Sequence, residues 1–430
     1  MEYLLRTHIQ PVDPSFQLSQ RVEPISFAQI QAALPTPQTA LIKWCVSKDT
    51  FTTFIVTKNC TQPLVITKDF EEVQTLTEIK DKYLSKYREY KDKWQERLIL
   101  FLYQLARTLE WDEVIESLKQ VLPDCNRIIL VPHRWLHIIP IHALPLKDGR
   151  CLLDLFPQGV SYAPSVQLLE LTQKQVWGDT GDKKFFAVQN PTEDPALPYT
   201  SVTLYQRYLI PALPYTSVEV AAIRKQFQPH DDVLVGKEGH RKALTTERLG
   251  KANYTHFSCH GTFNFEKPER SALLLADSVV EMEAQEDKED KEDGEDRRDK
   301  TRYLPSRDGS YIDLEKCLTL GEIFSLDLRN CRLVTLSACE TGLTDIKNLS
   351  DEYIGLPSGF LYAGSPSVVS SLWAVSDLST TFLMIKFYQN LQTMDDEAVF
   401  TIKSFLIDTL NDSCPFASPY YWGAFCAVGS

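Results

Sequence analysis

Two apolar, β-prone segments that each end in a reactive side chain constrain this chain more than any other feature. Residues 255–261 read THFSCHG, and residues 333–342 read LVTLSACETG. Parallel sheets present functional groups at the carboxyl ends of their strands. A histidine and a cysteine that meet at such an edge can act as a general base and a nucleophile. We therefore predict that His260 and Cys339 end neighbouring strands and form a catalytic dyad.

Further motifs follow the cysteine in order, reading DEYIGL at 351–356, FLYAGS at 360–365, SSLWAVSD at 370–377 and PYYWGAF at 419–425. Together with His260-Gly261 and the ACETG segment, they resemble the CHAT family. Its members are bacterial caspase-like and separase-like cysteine peptidases that are often fused to TPR repeats. The resemblance runs from about Ile128 to the last residue, and the sequence has no 34-residue helical repeat of its own.

The resemblance implies an α/β fold, with a caspase-like sheet flanked by helices. It also implies an N-terminal pseudo-caspase-like half that lacks catalytic residues and forms a second sheet. We expect residues 1–180 to hold a β-hairpin, helices and this half, and residues 181–430 to form the catalytic domain.

The residue pattern predicts the same organisation along the chain. A short helix is expected between Ser26 and Pro35, a hairpin from the strands 39–47 and 50–58, and a coiled hairpin of helices over 71–122. The apolar run 127–132 predicts a buried strand. Later apolar runs, at 185–188, 255–258, 332–337 and 367–372, alternate with helical stretches, as in a mostly parallel sheet.

Two insertions interrupt the second half. Residues 281–300 contain eleven acidic and five basic residues, which predicts a mobile loop, because so few apolar groups cannot offset the entropy of ordering. We expect the segments that flank it, 272–276 and 311–314, to pair as a hairpin near the site. The sequence ALPYTSV occurs at 196–202 and again at 212–218, which indicates a local tandem duplication.

Charge and composition narrow the function classes. The net charge of −13 argues against a nucleic-acid-binding surface, and no apolar run reaches the length of a membrane span. The N-terminus lacks the layout of a signal peptide, and the ten cysteines include no C-x-x-C pair. These features predict a cytoplasmic protein with reduced thiols and no membrane association.

No cofactor or metal is expected. His133, His137 and His142 are spaced by four and five residues, but Pro140 breaks any helix that would align them. We therefore interpret these histidines as structural residues.

In the predicted mechanism, Cys339 is the nucleophile and His260 is the base that later protonates the leaving amine. The resemblance implies that the backbone amides of Gly261 and Cys339 bind the oxyanion. Cys259 adjoins His260, but alternation along a strand turns neighbouring side chains to opposite faces, so Cys259 is expected to point away. His256 is expected to be a packed or hydrogen-bonded residue.

The substrate pocket is less defined. Ser337, two residues before the cysteine, is small and uncharged, so it indicates neither an aspartate-specific nor a strictly basic-specific pocket. Glu340 and Asp351 are the other candidate substrate-binding residues, and each is equally compatible with a turn or a helix cap. The preferred residue at the cleavage site stays open.

The leading hypothesis is a regulated cysteine endopeptidase that cleaves specific protein partners. The resemblance implies activation by a separate sensor or repeat protein, in bacterial defence or regulation. The alternative is a non-catalytic caspase-like scaffold, which the presence of both His260 and Cys339 disfavours. A small-molecule hydrolase is less favoured still, because the sequence has no G-x-S-x-G motif.

Overall fold

The computed structural model describes residues 25–89, 93–174, 183–192, 213–280, 302–305, 310–345, 353–393 and 416–430. Three features of the sequence lie outside these residues: the acidic insertion 281–300, the first copy of the ALPYTSV duplication, and Asp351. The second copy leads into a helix that begins at Thr216.

The first described segments confirm the predicted helix and hairpin. Helix α1 (Phe27–Ala32) is capped by Ser26, whose hydroxyl accepts a hydrogen bond from the Gln29 amide. Strands β1 (Thr39–Val46) and β2 (Phe51–Thr57) pair antiparallel. Strand β3 (Leu64–Lys68), which was not predicted, pairs with β2 at one edge of the sheet.

Three helices occupy the region where a helical hairpin was predicted: α2 (Phe70–Glu89), α3 (Trp94–Thr108) and α4 (Trp111–Val121). Trp94 and Trp111, at the starts of α3 and α4, are buried. Glu110 breaks the helix between them, because its φ of 48° is left-handed. No glycine or proline marks this break in the sequence.

The remaining strands, in chain order, are β4 (Arg127–Val131), β5 (Val160–Tyr162), β6 (Phe185–Gln189), β7 (Asp231–Val235), β8 (Tyr254–Ser258), β9 (Gly261–Thr262), β10 (Ala272–Leu273), β11 (Val279–Val280), β12 (Tyr303–Pro305), β13 (Tyr311–Asp313), β14 (Leu318–Thr319), β15 (Leu333–Ser337), β16 (Ser367–Ser371) and β17 (Phe425–Gly429). The remaining α-helices are α5 (Leu152–Leu155), α6 (Val166–Gln173), α7 (Thr216–Arg224), α8 (Thr246–Lys251), α9 (Leu320–Ile323), α10 (Leu356–Tyr362), α11 (Asp377–Thr393) and α12 (Pro419–Trp422).

One sheet runs through both halves of the protein. Within the described residues it has eleven strands, in the order β3-β2-β1-β4-β5-β17-β16-β15-β8-β6-β7. Strands β16, β15, β8, β6 and β7 are mutually parallel, and β17 is antiparallel to β16 but parallel to β5. The N-terminal strands therefore continue the sheet of the second half, rather than forming the second sheet that the resemblance implied.

Helices cover both faces of the second half, as expected for an α/β protein. Phe257 of β8 packs on Phe360 of α10, with ring centroids 5.9 Å apart. Adjacent side chains on a strand point to opposite faces, so His256 faces the other layer, where α7 and α11 lie. None of the helices in the described part of the chain combines the length and apolarity needed to cross a bilayer.

The predicted pairing of 272–276 with 311–314 was wrong. Strand β10 pairs with β9 and β14, whereas β13 pairs with β11 and β12 in a separate three-stranded sheet. The chain turns at Asp277, whose φ is 62°, so the partner of β13 begins only at Val279. Strands β11 and β14 were not predicted, because each is two residues long and has no periodicity to detect.

Candidate active site

The candidate dyad follows two neighbouring strands of the large sheet. Strands β8 and β15 pair in parallel, and Ser258 at the end of β8 is level with Ser337 at the end of β15. His260 and Cys339 each come two residues later. Adjacent strands lie about 4.8 Å apart, so the two residues leave the sheet side by side at the same edge.

Gly261 packs directly against the backbone of the cysteine segment. A Cβ added at Gly261 would lie 2.7 Å from the Cys339 carbonyl oxygen and 2.8 Å from Thr341 Cγ2. Real Cβ atoms do not approach other atoms this closely, so only glycine fits here. Gly261, which follows His260, is therefore in close contact with Cys339, the candidate nucleophile.

The two candidate residues differ from Cys259 in exposure. His260 and Cys339 are half-buried, whereas Cys259 is 2% exposed. Burial raises the pKa of the Cys259 thiol well above its usual range, and the charges of Cys317 and Cys339 raise it further. Cys259 is thus a packed thiol that stays protonated, as expected for a side chain turned away from the site.

A set of hydrogen bonds fixes the turn that follows β15. The Ala338 carbonyl accepts hydrogen bonds from Thr341 Oγ1 at 3.1 Å and from Ser371 Oγ at 2.6 Å. The Ser371 amide donates to Thr341 Oγ1 at 3.2 Å, and the Gly342 amide donates to the Ser371 carbonyl at 2.7 Å. The turn that carries Cys339 is therefore anchored to the end of β16.

Glu340 has an unusual conformation and a partner from far away in the sequence. Its φ is 60°, in the left-handed region that non-glycine residues rarely adopt. Its Oε1 accepts a 2.5 Å hydrogen bond from the hydroxyl of Tyr87, on helix α2. No sequence signal points to Tyr87, because no motif surrounds it and 253 residues separate it from Glu340.

The structure places only part of the predicted substrate pocket. Ser337 closes β15 and is 7% exposed, so it offers little surface to a ligand. Glu340 is half-buried beside Cys339. Asp351 lies outside the described residues, so the roles of these three residues in substrate binding stay predictions.

Three other histidines singled out from the sequence are buried and form hydrogen bonds within the protein. His256 Nε2 lies 2.8 Å from Glu219 Oε1, which confirms that His256 is packed and hydrogen-bonded. His133 Nδ1 accepts a hydrogen bond from the Val46 amide, and His142 Nδ1 lies 2.7 Å from the hydroxyl of Tyr162. Among the described residues, no group of three or more histidine, cysteine, aspartate or glutamate side chains is arranged to hold a metal ion.

The chain belongs to the CHAT domain family, whose model matches residues 104–430. None of the curated proteins gives a significant sequence match. Two solved structures of the separase–securin complex of Saccharomyces cerevisiae are similar to this chain, at 12% identity with a TM-score of 0.48 and at 10% identity with a TM-score of 0.54. Each similarity covers 94% of this chain, but only 31% and 30% of the separase chain.

The Arg-specific cysteine proteinase gingipain R is also similar in structure, at 7% identity and a TM-score of 0.39, covering 71% of this chain and 63% of that one. This chain therefore spans about a third of the separase chain and less than two thirds of the gingipain chain. The comparisons confirm the family and the caspase-like α/β fold.

Proposed function

We propose that this protein is a cysteine endopeptidase that cleaves protein substrates with Cys339 as nucleophile and His260 as general base. The register of β8 and β15 carries the proposal, because it brings the two residues to one sheet edge at the same level. Cys339 is half-buried, so a substrate can reach it, whereas Cys259, next to His260 in the sequence, is buried and inaccessible to a substrate.

The chemistry follows from the properties of a thiol beside an imidazole. A free cysteine has a pKa of about 8.5, and sharing its proton with His260 raises the thiolate fraction at neutral pH. The Cys339 thiolate attacks the scissile carbonyl, forming a C–S bond. The imidazolium of His260 then protonates the leaving amine as the C–N bond breaks, and a water molecule activated by His260 hydrolyses the thioester.

The oxyanion of the tetrahedral intermediate needs hydrogen-bond donors close to Cys339, and the first proposed donor is the backbone amide of Gly261. The Leu274 amide donates to the His260 carbonyl at 2.9 Å, so His260 and Leu274 form a hydrogen-bonded pair of the β9–β10 ladder. Hydrogen-bonded and non-hydrogen-bonded pairs alternate in antiparallel ladders, so the Gly261 amide points away from β10. The second proposed donor is the backbone amide of Cys339.

Regulation by a second protein is part of the proposal. The CHAT resemblance implies a separate activating protein, and the structurally similar separase was solved in complex with securin. We propose that this protein likewise acts on selected protein substrates under the control of a partner, without direct binding to nucleic acid or membrane.

The test is to incubate the protein with candidate partner proteins and to identify new peptide termini by mass spectrometry. Wild-type protein and Cys259→Ala should generate the same termini, while Cys339→Ala and His260→Ala should generate none and melt within a few degrees of wild type. Termini that persist in Cys339→Ala would exclude this nucleophile. Partner binding without cleavage by any variant would favour the scaffold alternative.

A further inference from the structure

Tyr87 reaches the candidate site from the N-terminal part of the chain. It lies near the end of α2 and is 5% exposed, and its ring packs edge-on against Trp94, with centroids 5.2 Å apart. The packing fixes the ring and directs its hydroxyl towards the two segments that follow β15 and β16.

The hydroxyl joins these two segments. It donates a hydrogen bond to Glu340 Oε1 at 2.5 Å and accepts one from the Ala374 amide at 3.1 Å. Burial raises the pKa of Tyr87 well above its usual range, and the charge of Glu340 raises it further. The hydroxyl therefore keeps its proton at neutral pH and remains a donor.

The hydrogen bond from Tyr87 to Glu340 stabilises an unfavourable backbone conformation of Glu340. A left-handed φ is unfavourable for a residue that carries a Cβ, so surrounding contacts must hold Glu340 in this conformation. On one side of Cys339, Ser371 and Thr341 hold the Ala338 carbonyl. On the other side, Tyr87 holds the Glu340 side chain.

We propose that Tyr87 is a positioning residue for the reaction: through Glu340, it fixes the turn that orients Cys339 towards His260. The inference rests on the proposed function, since it assigns Tyr87 a role in the same dyad. It also makes the site depend on helix α2, which lies outside the matched family region 104–430. The catalytic half alone would then lack a part of its own active site.

Tyr83 provides a matched control on the same helix. It is 4% exposed and packs edge-on against the same Trp94, with centroids 4.9 Å apart. A tyrosine-to-phenylalanine change at either position removes one hydroxyl and leaves the ring. Of these two hydroxyls, that of Tyr87 is the one that bonds to the segments beside Cys339, so the two changes separate positioning from packing.

The experiment measures the alkylation of Cys339 by iodoacetamide from pH 5 to 10, quantified on the Cys339-containing peptide by mass spectrometry. It needs no natural substrate. We expect Tyr87→Phe to lower the rate at pH 7 by about tenfold, because the lost bond to a carboxylate held the turn, and to move the pH profile upward. Tyr83→Phe should stay within about twofold of wild type, since it loses no such bond.

A double-mutant cycle tests the route through Glu340. If Tyr87 acts through a bond to the carboxylate, its substitution should matter less when Glu340→Gln has already weakened that bond. We expect the tenfold effect to shrink to about threefold or less in the Glu340→Gln background. Additive effects would overturn the proposed route. If Tyr87→Phe alone proves too unstable to compare, Glu340→Gln supplies the test, because weakening the same bond from its other end should also slow alkylation, and a wild-type rate would overturn the proposal.

His260→Ala, measured in parallel, separates the inference from the proposed function. If His260→Ala slows alkylation while Tyr87→Phe matches Tyr83→Phe, the dyad stands and the role of Tyr87 is refuted. If His260→Ala leaves the pH profile of Cys339 unchanged, the dyad fails. A slower Tyr87→Phe would in that case still support a role in fixing the cysteine turn.

Discussion

His256 and Glu219 form a buried pair beneath the candidate dyad. His256 Nε2 lies 2.8 Å from Glu219 Oε1, and the two side chains are 0% and 1% exposed. His256 belongs to β8, the strand that leads to His260, and Glu219 belongs to α7. On the other side of the imidazole, the Tyr388 hydroxyl lies 3.4 Å from His256 Nδ1 and donates to Thr335 of β15. This network ties two helices to the two strands that carry the candidate catalytic residues.

We predict that Glu219→Ala destabilises the protein by about 1–3 kcal/mol, because it leaves a buried polar histidine without its main partner. The free energy of unfolding can be measured by urea denaturation at pH 7. Glu247→Ala is a suitable control, since Glu247 bonds to Lys251 at 2.5 Å on the surface and is 76% exposed. The control should change stability little. Equal destabilisation by both substitutions would show that the buried pair contributes no more to the free energy of unfolding than the surface pair does.

The positions of His260 and Cys339 at the ends of adjacent strands follow from the sequence alone. Apolar runs that end in a reactive residue have a period and a boundary, and both can be read from residues 255–260 and 333–339. The alternation rule also places Cys259 in the interior, where the structure has it.

The sequence does not reveal contacts between distant segments. The bonds of Tyr87 to Glu340 and of Glu219 to His256 depend on how helices pack on the sheet, which no local pattern encodes. The pairing of β11 with β13 depends on a turn at Asp277, where the sequence offers no glycine. The joining of both halves into one sheet through β17 also depends on pairing between distant segments, so it could not be predicted.

A second prediction concerns His137, whose ring lies 4.6 Å from that of Tyr353. Burial lowers the pKa of His137 to about 3, with smaller contributions from the charges of Lys43 and His133. An unfolded histidine titrates near 6.5, so between about pH 6.5 and 3 the unfolded chain binds a proton that the folded protein does not. His137 should therefore cost stability as the pH falls through this window, by about 1.4 kcal/mol per pH unit.

Urea denaturation of wild type and His137→Phe at several pH values between 7 and 4 checks this prediction. The variant keeps an aromatic ring against Tyr353 but cannot titrate, so its stability should fall less steeply with decreasing pH. The exposed His240 provides the control, and His240→Gln should keep the wild-type slope. Equal slopes for wild type and His137→Phe would contradict the assignment.

Ser370 and Ser371 are neighbours on β16 with opposite predicted effects. Ser371 Oγ donates to the Ala338 carbonyl at 2.6 Å, whereas Ser370 Oγ is buried with no hydrogen-bond partner among the described residues. Ser371→Ala should destabilise the protein by about 1–3 kcal/mol, because a buried bond is lost. Ser370→Ala should be neutral or stabilising, because it removes a buried hydroxyl that has no hydrogen bond to offset the cost of its burial.

Thermal denaturation, combined with the iodoacetamide rate at Cys339, measures both serine variants. Ser371→Ala should also slow alkylation, since the bond that it removes holds the residue before Cys339. If Ser370→Ala proved the more harmful change, a bound water molecule would have to satisfy its hydroxyl.

The last prediction concerns Gly261, where the backbone after His260 touches the backbone of Cys339. An alanine Cβ would lie 2.7 Å from the Cys339 carbonyl oxygen, and a rigid backbone atom cannot yield as a flexible side chain would. Gly261→Ala should therefore separate the two segments and reduce both Cys339 alkylation at pH 7 and any substrate cleavage by at least about tenfold. The effect on melting should be smaller, because the contact lies at the rim of the sheet and not in its core. Gly321→Ala in α9 is the matched control: the added Cβ meets no atom within 4 Å, and alanine favours a helix by up to about 1 kcal/mol. Gly261→Ala protein with wild-type alkylation and cleavage would mean that the contact between these two segments does not govern the site.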